Sequence, residues 1–489
     1  MAADIAQYDV VIVGAGVVGC AIARELSKFQ LKVLVVEKEL DVGMGTSSRN
    51  SGVIHSGIHY SPGSLRAKLN VQGNFMFEEL CKALKVKMSY IGKLTVAQDD
   101  EEIKTLYHLK EQGEANGVPG MEILPPEKME LIQPGVQGKL ALYTPSTGIV
   151  CPYTFTIRLA ESAHLNGVKF LLGTQVTGIT RDGETFQIST HRGDRLTTRV
   201  LINSAGLYSD AICRMLGIDE YKIYPCRGEY LILDKRFGHY LKTLVYPTPH
   251  HGKAGLGIHL TKTVDENILI GPSNEYVEEA EDIRTTKEIM GLLIEEGKRL
   301  LPGLSTSDVI RSFSGLRAKQ TPPQVGGFKD FVIERRRDYP NFINLVGIES
   351  PGLTSSPAIA LMVKDLVGEV LPLVKKEDFK SEIPGMVGYF HEQPEELKNE
   401  LLSKDKDYGE IVCRCEGITK KEVMEAFQNL LGVKTLAALK YRARVMMGRC
   451  QGGFCLPRIV ELLRKEFGVS PQELLLHKEG SYLFTGYVR

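Results

Sequence analysis

Residues 9–13 read DVVIV, a β-branched run that predicts a short buried strand. GAGVVG follows at 14–19, and then CAIARELSKF, whose apolar spacing predicts a helix. LKVLVVE at 31–37 predicts a second strand that ends on an acid. Strand, glycines, helix, strand and acid within about thirty residues form a dinucleotide-binding unit, a far more specific signal than the glycines alone. Gly14 would make the tight turn, Gly16 would let backbone approach a pyrophosphate, and Gly19 would let helix pack on strand. The helix N-terminus supplies N–H donors and a partial positive charge to the phosphates. Glu37 would bind ribose hydroxyls.

Farther along, RGEYLILD (227–234) and ENILIGPS (266–273) carry mixed strand signals. After about residue 372 the apolar register fades into a charged, turn-rich stretch that reads as a linker over 373–408. The pattern then resumes. Thr419 and Glu422 form a capping box before an amphipathic helix, KTLAALKYRARVMMG is helix-like, and Pro457 opens a last helix in PRIVELLRKEFG.

Composition narrows the class. The 489 residues exceed one compact core, so two to four domains are expected. Lysine plus arginine equals aspartate plus glutamate at 60 each, which gives no bias toward nucleic acid or an anionic membrane. No run of 18 apolar residues predicts a transmembrane segment, and MAADIAQYDVVIVGAG lacks the basic start of a signal peptide. A cytoplasmic protein is expected, with peripheral membrane attachment through a partner left open. Cys20, Cys81, Cys151, Cys213 and Cys226 are scattered, as buried reduced thiols would be.

GMGTSSRNSGVIHSGIHY (43–60) is dense in small and hydroxyl residues and could follow a flat ring system closely, which favours FAD over NAD. Here the chain resembles the FAD-dependent oxidoreductases of the D-amino-acid oxidase and glycerol-3-phosphate dehydrogenase superfamily. LINSAGLYSD (201–210), SFSGLRA (312–318) and GIESPGLTSSPAIA (347–360) extend the resemblance over about residues 8–370. It implies an α/β fold: a Rossmann-like FAD-binding domain from 1–80, 151–215 and 336–372, with an inserted β-rich substrate domain from 81–150 and 216–335. It further implies cofactor contacts at Gly45, Thr46, Ser47, Asn50, Ser51 and Gly52 in the first loop. Val176, Ala205 and Gly206 would lie under the dinucleotide. Gly347, Gly352, Leu353 and Thr354 would face the flavin N1/O2 edge, where backbone N–H groups stabilise the anionic reduced ring.

By the same resemblance Arg317 binds a substrate anion, a task for which a planar guanidinium fork suits carboxylate or phosphate. Lys253, in HGK (251–253), would contact substrate phosphate or its hydroxyls, as in soluble glycerol-3-phosphate oxidases and dehydrogenases. GIH (257–259) is similar to a segment of L-2-hydroxyglutarate dehydrogenases, so two substrates compete, with glycerol 3-phosphate preferred. Both are small anionic secondary alcohols. Oxidation sends the carbon-bound hydrogen to flavin N5 as hydride and the hydroxyl proton to a base, for which histidine is suited. His55, His59, His250, His251 and His259 are available, with His55 the first choice and His259 the second. Ser350 would hydrogen-bond substrate or flavin, or stabilise a turn.

Residues 409–489 hold Cys413, Cys415, Cys450 and Cys455, a C-x-C and a C-x4-C pair. A [2Fe–2S] cluster, with two irons that each need two thiolates, fits two close pairs on two loops; tetrahedral zinc is the alternative. The stretch resembles the small helical domain of bacterioferritin-associated ferredoxin and the C-terminal domain of anaerobic glycerol-3-phosphate dehydrogenases. Its 13 lysines and arginines against 8 acids would suit an anionic cluster. The expectation is an FAD dehydrogenase whose electrons leave through the cluster to a partner electron-transfer subunit. A redox- or iron-sensing binding module is the alternative of another class.

Overall fold

A computed structural model describes residues 6–249, 257–305 and 307–486. Strand β1 (Ala6–Val13) pairs in parallel with β2 (Val33–Glu37) on one side and with the strand Arg195–Asn203 on the other. Val10, Val11 and Ile12 are fully buried, because helices cover one face of the sheet and a β-ribbon and short helix cover the other. Each such side chain contributes about 1.5–3 kcal/mol of burial. Between the two strands runs helix α1 (Val17–Leu26), buried along most of its length against Pro152–Leu165 and Gly352–Gly368. The complete sheet has eight strands in the described residues.

A second, nine-stranded sheet roofs the first. Its longest pair is Tyr224–Leu233 against Val309–Lys319, antiparallel, with Cys226 opposite Arg317. The helix Lys287–Leu300 closes its far side through Leu293 and Leu300. The strand Val332–Arg335, expected in this roof, pairs instead with Phe342–Val346 and so belongs to the first sheet. Its neighbour Phe331 is buried in the core of that sheet, which draws the chain back earlier than residue 336.

The segment 373–408 is ordered along its course. It clips onto the first sheet's helices through Gln30 N–H to the Val374 carbonyl (2.8 Å) and Asn166 to the Lys380 carbonyl (3.0 Å). It then forms the helix Glu395–Lys404. Beyond it, three short helices surround a separate core of Val412, Ile418, Val423, Leu439 and Ile459. The capping box holds as expected: Thr419 accepts from Glu422 N–H, and Glu422 accepts from Thr419 N–H. No helix among the described residues is long and apolar enough to cross a membrane.

Buried charges join this last domain to the rest. Arg442 makes a two-point ion pair with Asp41, in the loop after β2, with both side chains at most 5% exposed. Arg444 reaches Asp265 (2.6 Å), Glu416 (2.7 Å) and the Asn267 side chain (2.7 Å). Tyr153 stacks on Tyr441 at 4.8 Å. Asp41→Ala would leave the Arg442 guanidinium buried without a carboxylate. The expected loss is about 3–5 kcal/mol in chemical denaturation; an unchanged midpoint would show that the pair does not hold the domains together.

Candidate active site and cysteine cluster

A cavity of about 620 Å³ lies where the carboxyl ends of the parallel strands meet the roof. Crevices at strand carboxyl ends are where doubly wound sheets bind ligands. Gly14 turns the chain with φ +103°, and a Cβ there would stand 2.7 Å from the Ser204 carbonyl oxygen. A Cβ on Gly19 would meet the Gly14 carbonyl at 2.0 Å, so α1 can approach β1 only with glycine at that position. Gly16 is the N-cap of α1 and brings no capping side chain. The helix Gly352–Gly368 likewise begins without one. Two helix N-termini therefore meet the cavity with their first turns uncapped by their own residues. That arrangement suits a pyrophosphate at one end and an anionic ring edge at the other.

The anticipated cofactor residues separate into two groups. Gly14, Gly16, Glu37, Gly45, Thr46, Ser47, Asn50, Ser51, Val176, Ala205, Gly206, Gly352 and Leu353 line the cavity. Gly19, Gly52, Gly347 and Thr354 stand behind its wall. Thr354 Oγ1 accepts from His55 N–H (2.9 Å) and so braces the histidine loop without facing the cavity. Glu37 accepts from Ala15 N–H (2.6 Å) and Glu39 N–H (2.9 Å), while burial pushes its carboxyl above the usual range. His477 and Lys478, from the last domain, also line the cavity, which no sequence signal anticipates.

At the roof end stand His55, His259, Arg317 and Ser350. His259 stacks on Tyr246 at 3.8 Å, and its Nδ1 lies 3.0 Å from the Gly257 carbonyl. A carbonyl only accepts, so Nδ1 carries the proton and Nε2 keeps its lone pair. That Nε2 is buried and has no hydrogen-bond partner among the described residues. Burial, reinforced by the Lys93 ammonium, pushes both His55 and His259 down to about 3. Both are thus neutral proton acceptors near pH 7. His59 lies behind them, with Nε2 3.0 Å from Lys93 Nζ, and burial pushes Lys93 down to about 7. Lys93 is the one charge in the strand Lys93–Ala97 and was not anticipated; its place beside three histidines is set by the fold. Arg317 donates to the Ser273 carbonyl (3.2 Å) and makes no ion pair with a carboxylate among the described residues. It remains available to a substrate anion. Lys253, His250 and His251 lie outside the described residues.

Lys319 and Glu349, neither anticipated, also line this end, with Nζ and Oε2 3.3 Å apart; Arg66 reaches the same carboxylate at 3.0 Å. Two cations on one carboxylate leave an excess positive charge near the flavin loop, which favours an anionic ring.

The four tail cysteines pair across the two motifs. Cys413 hydrogen-bonds Cys455, and Cys415 hydrogen-bonds Cys450. Among the described residues no three His, Cys, Asp or Glu side chains converge to hold one metal ion. Two thiol pairs match two irons with two thiolates each. Met446 N–H donates to both Cys413 and Cys455, and Gly452 and Phe454 N–H donate to Cys450. Left-handed backbone at Arg444 (φ 56°), Met446 (φ 62°) and Gln451 (φ 48°) shapes these loops. Within the Cys413–Cys455 pair, the contact with Cys455 pushes the Cys413 thiol down and the Cys455 thiol up, so Cys413 is the first of the two to ionise.

Residues 9–366 match the family described as FAD dependent oxidoreductase, and residues 411–465 match the BFD-like [2Fe-2S] binding domain. The chain is 43% identical to a glycerol 3-phosphate dehydrogenase of Caloramator mitchellensis, over 98% of both chains. It is 31% identical to the mitochondrial L-2-hydroxyglutarate dehydrogenase of Homo sapiens, over 75% of this chain and 89% of that one. Among solved structures, the FAD-bound L-alpha-glycerophosphate oxidase of Mycoplasma pneumoniae superposes with a TM-score of 0.73 at 30% identity. That match covers 78% of this chain and all of the other.

The histidine pair has a thermodynamic consequence. Unfolded histidines take up a proton at about pH 6.5, whereas His55 and His259 resist it down to about 3. Between those values the unfolded chain binds more protons, so stability must fall as pH falls. The melting temperature of the FAD-free protein should decline from pH 6.5 toward 4 in calorimetry. His55→Asn/His259→Asn should flatten that decline; an equal slope in the double variant would contradict the assignment.

Proposed function

The chain belongs to the FAD dependent oxidoreductase family, and from that footing we propose that it is a dehydrogenase converting sn-glycerol 3-phosphate to dihydroxyacetone phosphate. The observation that carries the reading is Arg317, a guanidinium without a carboxylate partner among the described residues, facing the same cavity as the lone pair of a neutral histidine. An anionic alcohol needs both: a fork for its charge and an acceptor for its hydroxyl proton. The full-length likeness to a glycerol 3-phosphate dehydrogenase, tail included, favours that substrate over L-2-hydroxyglutarate.

When bound, FAD supplies the hydride-accepting ring and a [2Fe–2S] centre supplies a one-electron relay. The chain's residues do the rest. Arg317 holds the phosphate, with Lys253 as a second cation. His259 Nε2, or His55 beside it, takes the hydroxyl proton. Tyr246 fixes the His259 ring by stacking, and Ser350 borders the substrate at the flavin loop. Cys413, Cys415, Cys450 and Cys455 would hold the cluster, from which a partner electron-transfer protein would take the electrons one at a time.

Anaerobic mixing should bleach the flavin rapidly with glycerol 3-phosphate and slowly with L-2-hydroxyglutarate; the reverse order would transfer the reading to the second substrate. Arg317→Ala should raise KM about 10- to 100-fold. His259→Ala and His55→Ala should each be compared for flavin reduction: the base should lose about 10²-fold or more with FAD still bound. Near-normal reduction in both would remove the histidines from that role. Metal analysis should find about two irons and two sulfides per chain; one zinc without iron would defeat the cluster assignment.

A further inference from the structure

Cys450 is the one exposed thiol of the four, so the site it shares with Cys415 lies directly beneath the protein surface. Beside it the Phe454 ring is 38% exposed, and with Ile411 it puts apolar surface next to that thiol. Two guanidiniums flank that ring, Arg414 at 4.4 Å and Arg458 at 5.4 Å from its centroid. Arg458 also donates to the carbonyl of Ile411, itself 38% exposed. The two segments that frame this face, 411–415 and 449–458, contain Arg414, Arg449 and Arg458 and no carboxylate.

Neighbouring acids do little to offset that charge. Glu416 is buried on Arg444, and Glu461 is committed to Arg464 and Lys465. Glu410 stands just outside, next to Ile411. Arg449 is partly spent on Asp234 at 2.9 Å, whereas Arg414 and Arg458 have no carboxylate partner among the described residues. An exposed aromatic held between arginines, with a rim of one charge sign, is the make-up of an interface centre.

We propose that the face formed by Ile411, Arg414, Cys450, Phe454 and Arg458 is the docking surface for an acidic one-electron carrier protein. The proposal rests on reading the four cysteines as cluster ligands. Each alcohol oxidised to a ketone releases two electrons and two protons. Two carrier molecules are therefore reduced by one electron each, and the protons pass to solvent. The arginines steer the carrier's acidic face toward Cys450, and Phe454 gives the contact its apolar centre.

The test uses the full-length, cluster-loaded protein with two haem proteins as probes, acidic cytochrome b5 and basic cytochrome c. Binding is measured by titration at low and physiological salt. Cytochrome b5 should bind more tightly than cytochrome c and lose affinity as salt rises. Arg458→Glu and Arg414→Glu, made separately, should each weaken cytochrome b5 binding about tenfold, and Phe454→Leu should weaken it without changing the salt slope. Substrate-driven bleaching of the flavin should stay unchanged in all three. Undiminished binding in all three variants, with iron and sulfide content intact, would overturn the docking surface alone. A full-length protein that takes up no iron and sulfide would overturn the reading beneath it and the docking surface with it.

Discussion

Backbone meets backbone where the roof strand Val309–Lys319 crosses the loop that follows β2. A Cβ on Gly315 would stand 2.0 Å from the Arg49 carbonyl oxygen, so only glycine allows the crossing. One residue on, the Leu316 carbonyl accepts from Thr46 Oγ1 (2.8 Å). Two residues on, Arg317 emerges into the cavity. The same loop carries Ser47, which accepts from Val17 N–H at the start of α1 (2.8 Å). One close approach thus sets the distance between the substrate's anion site and the dinucleotide unit, and the roof cannot shift without moving both.

The last domain is held by a different kind of contact. Arg442 and Arg444 bury their charges against Asp41, Asp265 and Glu416. Such pairs give little net stability over apolar packing, but they penalise every arrangement that separates them. They therefore register the domain on its neighbours rather than simply adhering it. Asp41 lies in the loop after β2, and His477 and Lys478 reach the cavity wall. The cysteine-bearing domain is thus tied to the same loop region that would hold the dinucleotide.

The buried histidines show how function and stability oppose each other. Among the described residues, His59 Nδ1, His55 Nδ1 and His259 Nε2 are all buried without partners. Each unpaired polar atom costs free energy in the folded state. His55 and His259 line the cavity, where a substrate hydroxyl or a cofactor would satisfy them, while His59 lies behind on Lys93; the packing, with Tyr246 stacked on His259, sustains them until then.

The sequence by itself determined the local elements of this protein. The turn at Gly14, the capping box at Thr419 and the helix opened near Pro457 are short-range matters of backbone freedom and capping, which neighbouring residues decide. The spacing of the four cysteines was legible in the same way, because thiolate chemistry is carried by the residue type, whereas Arg317 was singled out only by the family resemblance. Tertiary structure alone decided the rest. Which cysteine faces which, that Thr354 braces rather than lines, that Lys93 sits behind the histidines, and that the strand Val332–Arg335 joins the first sheet all depend on partners tens to hundreds of residues away. Periodicity reports which face of an element is buried, but it says nothing about what is buried against it.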